Sequence, residues 1–222
     1  MGAKNHCIVM PDAEKDDAIN ALIGACFGST GQRCMAISVV ILVGDSQKWI
    51  PEIVEKAKTL KVGPGKDNFD IAPLQSASHK KNVERLIADG EKNGKLLLDG
   101  RGIKVAGYPN GNWVGPTIID HCGKGMACYE EEIFGPVLAI QTFRTAEEVI
   151  EKANNTQYGL SGGVWTDKGA KAFKISSKLN AGVVWANTYN KFDPTSPFGG
   201  FKESGVGREG GLHGLMPYVN LF

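Results

Sequence analysis

The chain has 222 residues, 25 of them basic and 24 acidic, a formal net charge of +1 and a hydrophobic content of 42%. That balance excludes the strongly basic surface of a nucleic-acid or membrane-surface binder and fits a globular protein with room for a real core. No apolar run approaches the roughly 20 residues a spanning helix needs.

The N-terminus lacks the basic-then-apolar order of a secretory signal. Asp12 stands where a cap opens a helix running to Phe27. Its apolar residues Ile19, Leu22, Ile23, Cys26 and Phe27 recur at helical spacing on one face. The β-branched run Ile37 to Val43 predicts a buried strand. Lys48 to Leu60 reads as a helix with Ile50, Ile53, Val54 and Ala57 on one stripe, ended by Gly63-Pro64-Gly65. A further helix is expected over Lys80 to Asn93, closed by Gly94. Short strands follow at Lys95–Leu98 and Trp113–Ile119, then a strand from Val137 to Phe143. Thr145-Ala146-Glu147-Glu148 forms a capping box for the next helix. Strand 161–166, helix 168–179 and strand 182–186 complete the pattern. Helices alternating with apolar strands imply a layered α/β domain. The stretch 187–222, rich in Gly, Pro and Ser, reads as irregular, loop-bearing structure beside a site. No repeat or linker divides the chain, so it is expected to form one domain over 1–222.

Five cysteines, Cys7, Cys26, Cys34, Cys122 and Cys128, are an odd and sparse set. They argue against a disulfide scaffold and for a reducing compartment, cytoplasm or mitochondrial matrix. Neither they nor the scattered histidines match a zinc spacing, so no metal site is expected. Cys34 stands out by its surroundings, Phe27-Gly-Ser-Thr-Gly-Gln-Arg-Cys34-Met-Ala36. Gly28 and Gly31 let the backbone turn and approach a ligand closely. Arg33 beside the thiol favours the thiolate, the reactive form. The bland alternative is a small buried hydrophobe, the usual state of a free cysteine. Gly205-Val-Gly-Arg-Glu-Gly210 spells the dinucleotide fingerprint, but a loop precedes it, and a ribose-binding acid would be needed about 20 residues on. Only 12 residues follow Gly210, so these glycines are expected to pack a loop.

Phe27, Gly31, Gln32, Cys34 and Ala36 reproduce the pattern Phe-x-x-x-Gly-Gln-x-Cys-x-Ala, which resembles the cysteine signature of the aldehyde dehydrogenase superfamily. Gly115-Pro-Thr-Ile118, Glu131-Glu-Ile-Phe-Gly-Pro136, Ala153-Asn-Asn155 with Tyr158-Gly-Leu160, Trp185-Ala-Asn187, Pro197 to Gly205 and Gly207-Arg-Glu209 resemble further family segments, in family order. The resemblance implies the catalytic layer of that fold, with the dinucleotide-binding half outside these residues. It implies Cys34 as nucleophile toward an aldehyde, through a thiohemiacetal and a thioester. It implies NAD as cofactor, with Glu132 on the nicotinamide ribose, Phe134 near the ring and Gly2 in the same site. Arg33 and Phe198 are the residues expected to meet the substrate. Taken alone, Glu132 would be a solvated acid in a charged patch and Phe198 a core residue.

Met1-Gly-Ala-Lys-Asn-His6, Gly31 to Ala36, Leu42-Val-Gly44, Asp99-Gly-Arg101 and Cys128-Tyr-Glu-Glu131 are most similar to methylmalonate-semialdehyde dehydrogenases. That subfamily passes its acyl group to coenzyme A rather than to water. Beyond about residue 156 the style changes, and residues 196–205 resemble general NAD-dependent aldehyde dehydrogenases. The family's catalytic glutamate would align one position before Met1. Full-length members are more than twice as long, so the NAD site is expected to be incomplete in this chain, with a homo-oligomer or a complementing N-terminal half as partner. The competing readings are a truncated paralogue without activity and a weak thiol esterase built on Cys34 alone.

Overall fold

The segment Ile37–Val43 is apolar at nearly every position, which suits a strand covered on both faces. In the computed structural model, which describes residues 1–220, it is buried along almost its whole length. This strand, β2, lies at the centre of a seven-stranded sheet. The strands are β1 (Asn5–Val9), β2 (Ile37–Val43), β3 (Lys95–Leu98), β4 (Thr117–Asp120), β5 (Val137–Phe143), β7 (Ser161–Trp165) and β8 (Val183–Ala186), with β6 (Tyr158–Gly159) set aside. Their order is β3-β4-β5-β2-β1-β7-β8, and every neighbouring pair is parallel except β3 with β4. β6 pairs antiparallel with β9 (Phe201–Lys202) outside this sheet.

Helices cover both faces. α1 (Lys15–Phe27) and α2 (Ile50–Lys58) pack on one side, where Ile19, Leu22, Ile53 and Ala57 meet Val9, Val40, Leu42 and Ile140. α3 (Ala77–Asn93), α5 (Ala146–Asn154) and α6 (Gly169–Ser176) cover the other, where Val83, Leu86, Val149 and Ile175 meet Ile8, Val39, Ile41 and Val164. Alternate residues of β2 thus serve two cores. A short helix α4 (Ala127–Glu130) follows β4, and α7 (Gly211–Leu215) lies near the end. The layered α/β architecture matches the expectation.

Several boundaries differ. β1 was not anticipated, because its polar opening, Asn5-His6, hides a five-residue strand that is buried throughout. Asp12 does not cap α1. Glu14 does, while Asp12 accepts from Thr166 Oγ1 at 2.9 Å and pairs with Lys171 at 3.0 Å. The expected helix 48–60 is a 3₁₀ turn over Gly44–Trp49 running into α2. α3 starts earlier than Lys80 because Ser76 Oγ accepts from His79 N at 3.1 Å. The strand expected over 113–119 is confined to Thr117–Asp120, and Trp113 is spent on a bond from Nε1 to the Tyr108 carbonyl. Thr145 caps α5 as expected, its Oγ1 accepting from Glu148 N at 3.3 Å, but the Glu148 carboxylate reaches back to Arg144 N at 3.4 Å rather than to Thr145 N, so the box is not closed.

Candidate active site

α1 stops at Phe27, where the Gly28 N–H closes onto the Gly24 carbonyl. The chain then takes a tight left-handed turn in which Ser29, Thr30 and Gly31 all have positive φ, at 54°, 59° and 66°. That conformation is costly for Ser and Thr, and neighbouring bonds hold it. Thr30 Oγ1 donates to the Ala72 carbonyl at 2.9 Å, and Gln32 accepts from Gln75 N at 3.0 Å. Gly31 is also a contact requirement, since a Cβ there would run into the Gly135 carbonyl oxygen. This close approach brings the 27–36 segment against the 131–136 segment, a hundred residues later. Cys34 follows on an exposed turn, the one exposed thiol among the five cysteines. Arg33 is exposed beside it and lies over Gly28.

Glu132 is half-buried, and its Oε1 accepts from the Ala3 N–H at 3.1 Å. Burial holds its carboxyl above the ordinary value, against the opposing pull of that N–H and of Lys4. Gly2 makes room for this carboxylate: a Cβ there would lie 3.0 Å from Glu132 Oε2 and 2.9 Å from Tyr158 Cε1. Phe134 has a φ of 53°, and its carbonyl accepts from His79 Nε2 at 2.7 Å. Lys4 is buried, and its Nζ donates to the Cys128 and Glu131 carbonyls, both at 2.8 Å. Burial lowers it to about 8. It remains a cation at neutral pH, and it fastens the start of β1 to the residues ahead of Glu132.

Arg33, Cys34, Glu132 and Phe134 line one narrow crevice, together with Ala3, Ser38 and Gly135. Glu132 also borders a wider cleft of about 760 Å³ walled by Tyr129, Glu130, Asn154 and Tyr158. Ala3 precedes β1, Cys34 precedes β2, and Glu132 and Phe134 precede β5. These three strands are parallel neighbours, so the residues just upstream of each converge on one end of the sheet. The arrangement reverses the common rule for open α/β sheets, in which ligands sit beyond the carboxyl ends of the strands.

Phe198 is not among the residues lining this crevice. It packs against Phe192, which stands edge-on to Trp185, and it borders a hollow with Leu160 and Ser204. The Gly205–Gly210 stretch is a loop, with the Phe198 and Glu209 backbones bonded both ways at 2.7 Å. Among the described residues no group of three or more His, Cys, Asp or Glu is placed to hold a metal ion.

Asn5, His79 and Ser204 were given no role from the sequence. Ser204 Oγ donates to the Gly2 carbonyl at 2.6 Å and accepts from Gly159 N at 3.0 Å, tying the C-terminal loop to the first residues.

The model of the aldehyde dehydrogenase family matches residues 1–221. The chain belongs to this family. It is 50% identical over 189 residues to the human acylating methylmalonate-semialdehyde/malonate-semialdehyde dehydrogenase, described as mitochondrial, covering 84% of this chain and 35% of that one. A putative methylmalonate-semialdehyde dehydrogenase from Sinorhizobium meliloti, solved in complex with NAD, superposes with a TM-score of 0.93 at 37% identity, over 97% of this chain and 45% of that one. A betaine aldehyde dehydrogenase from Staphylococcus aureus, also with NAD, gives 0.94 at 30% identity, over 98% and 44%. This aldehyde dehydrogenase chain therefore spans about a third of the length of the curated relatives it matches.

Proposed function

We propose that this chain carries the acyl-forming chemistry of an NAD-linked aldehyde oxidation, with Cys34 as nucleophile and a short semialdehyde of the methylmalonate type as substrate. The observation that carries the proposal is the crevice in which an exposed thiol shares its walls with a half-buried carboxylate. Cys34 adds to the aldehyde carbonyl, and the carbonyl electron pair moves to oxygen. The Cys34 N–H, which has no acceptor among the described residues, is the group placed to receive that charge. Arg33 adds a cation beside it and suits a substrate that carries a carboxylate. Glu132, which also borders the wider cleft, is the acceptor that would take a ribose hydroxyl, and Phe134 in the crevice wall suits the flank of a flat ring. Bound there, oxidised NAD supplies the hydride acceptor. Loss of hydride from the Cys34 adduct leaves a thioester, and a thiol such as coenzyme A, or water, then displaces Cys34 as the leaving group. Coenzyme A is favoured as acceptor because the curated relatives matched are acylating enzymes.

The test combines NADH formation with mass spectrometry of acid-quenched protein. With an aldehyde, NAD and a complementing chain that supplies the rest of the relatives' length, an acyl adduct should form on Cys34. Cys34→Ser should lose both the adduct and NADH. The 222-residue chain alone should bind NAD weakly and form no appreciable NADH. NADH formation that survives Cys34→Ser would overturn the proposal. Ester hydrolysis at Cys34, with no NADH even when the chain is complemented, would favour the thiol-esterase reading.

A further inference from the structure

Asn5 lies at the start of β1 and is 2% exposed. A buried primary amide has two donors and one acceptor group to satisfy. Its Nδ2 donates to the Cys34 carbonyl at 2.9 Å and to the Ala36 carbonyl at 2.8 Å. Its Oδ1 accepts from Ser161 N, on β7, at 3.1 Å. One side chain therefore clasps the cysteine turn from below and fixes it to the strand on the far side of β1. The remaining peptide plane of the turn is held by the turn itself, since Ala36 N donates to the Arg33 carbonyl at 3.1 Å. That bond sets the Arg33–Cys34 peptide, which carries the Cys34 N–H. The Asn5 bond sets the Cys34–Met35 peptide. With the planes on both sides of the Cys34 Cα fixed, the directions of its N–H and of its Cα–Cβ bond are fixed together.

We propose that Asn5 is a positioning residue for Cys34: by holding the Cys34 and Ala36 carbonyls it aims the Cys34 N–H at the oxygen of whatever carbonyl the thiol attacks. The inference rests on the nucleophile reading above. Asn5 acts through the backbone and touches no reacting atom. Its effect is therefore selective between two reactions of the same thiol. Alkylation by iodoacetamide displaces iodide from carbon and develops no oxyanion. Acylation by p-nitrophenyl acetate does: the thiolate forms a C–S bond, the carbonyl pair moves to oxygen, then returns and expels p-nitrophenolate.

The experiment measures both rates on the full chain, with the modified residue identified by mass spectrometry, for Asn5→Ala and Asn5→Asp. Asn5→Ala should lower acylation of Cys34 about 10–100-fold, the scale of a misaimed oxyanion donor, and leave alkylation within about twofold. Asn5→Asp keeps the acceptor for Ser161 N and loses the donors when ionised. Its acylation rate relative to the parent chain should therefore fall as pH rises, because only the protonated acid can still donate to a carbonyl. Amide hydrogen exchange reads the clasp without any chemistry. The Ala36 amide, whose N–H bonds the Arg33 carbonyl, should exchange about tenfold faster in Asn5→Ala, with the centre of β2 unchanged. Parallel losses in both rates, or exchange at Ala36 that does not move, would overturn the proposal. A parent chain that alkylates at Cys34 but never acylates would instead sink the nucleophile reading, and hydrogen exchange would then decide the role of Asn5 by itself.

Discussion

The crevice end of the sheet and the segment after β8 are built on different physics. Around Cys34 the chain covers its own apolar surface: Phe27, Met35 and Ile37 are buried, as are Ile133 and Val137 opposite them. After β8 the reverse holds. Leu212 is 71% exposed and Tyr218 86%, and α7 buries none of its residues. That segment takes its course from backbone bonds, such as Gly211 N to the Pro194 carbonyl at 2.9 Å, and from Arg208 Nη1 donating to the Gly200 carbonyl at 2.9 Å. The first region is fixed by burial. The second is fixed by local bonding, with little hydrophobic free energy drawn from this chain.

The sharpest way to break this contrast is to add one methyl group in each region. Gly31 and Gly207 both have positive φ, at 66° and 80°. A Cβ at Gly31 strikes the Gly135 backbone, whereas one at Gly207 meets open space. Gly31→Ala should cost about 3 kcal/mol or more from strain plus collision, a fall in Tm of about 6–12 °C for a chain of this size. Gly207→Ala should cost only the left-handed penalty of about 1–2 kcal/mol. Equal losses in thermal unfolding would show that the two regions do not differ as described.

Glu132→Gln probes the crevice more gently. The folded state holds this carboxyl above its unfolded value, so the protonated form is the one folding favours. Its contribution is present below the ordinary glutamate value near 4.5 and is lost as pH rises through the raised value. The neutral amide should therefore raise Tm at pH 7–8 by about 1–2 °C, with the gain vanishing near pH 4, while NAD-dependent turnover of the complemented protein falls. Scanning fluorimetry across pH checks this. A Tm that drops at neutral pH would mean that the ionised carboxylate stabilises the fold.

The smallest effect on stability belongs to the C-terminal segment. Leu212→Ser with Leu215→Ser should shift Tm by about 1 °C or less, since exposed positions contribute little, yet reduce self-association in sedimentation runs. A loss of several degrees would show that these leucines pack inside the monomer.

Much of the fold was legible where burial enforces a period. α1, β2, β5 and α5 follow from their apolar spacing and caps, because each must present a defined face to a core. β1 was missed because its first residues are polar and buried only by virtue of their bonds, which no periodicity reports. Cys34, Glu132 and Phe134 were named through their motifs, and parallel pairing of β2 with β5 brings the three to one crevice. Phe198 was assigned by motif to the substrate, and in the fold it borders a hollow with Leu160 and Ser204. The roles of Asn5, His79 and Ser204 depend on carbonyls that come close only after folding, so their pattern is absent from the linear chain.

The convergence of residues upstream of their strands, rather than beyond them, has an electrostatic consequence. α1 runs toward Cys34, so it reaches the crevice with its carboxyl end, the negative pole of its dipole. α3 does bring its amino end near Phe134, but its first turn is already capped by Ser76. The helix that delivers Cys34 therefore opposes negative charge in the crevice. Positive potential there comes instead from Arg33, from the buried Lys4 beside Glu132 and from single N–H groups of the turn. Negative charge on a ligand there would meet those groups rather than the amino end of α1.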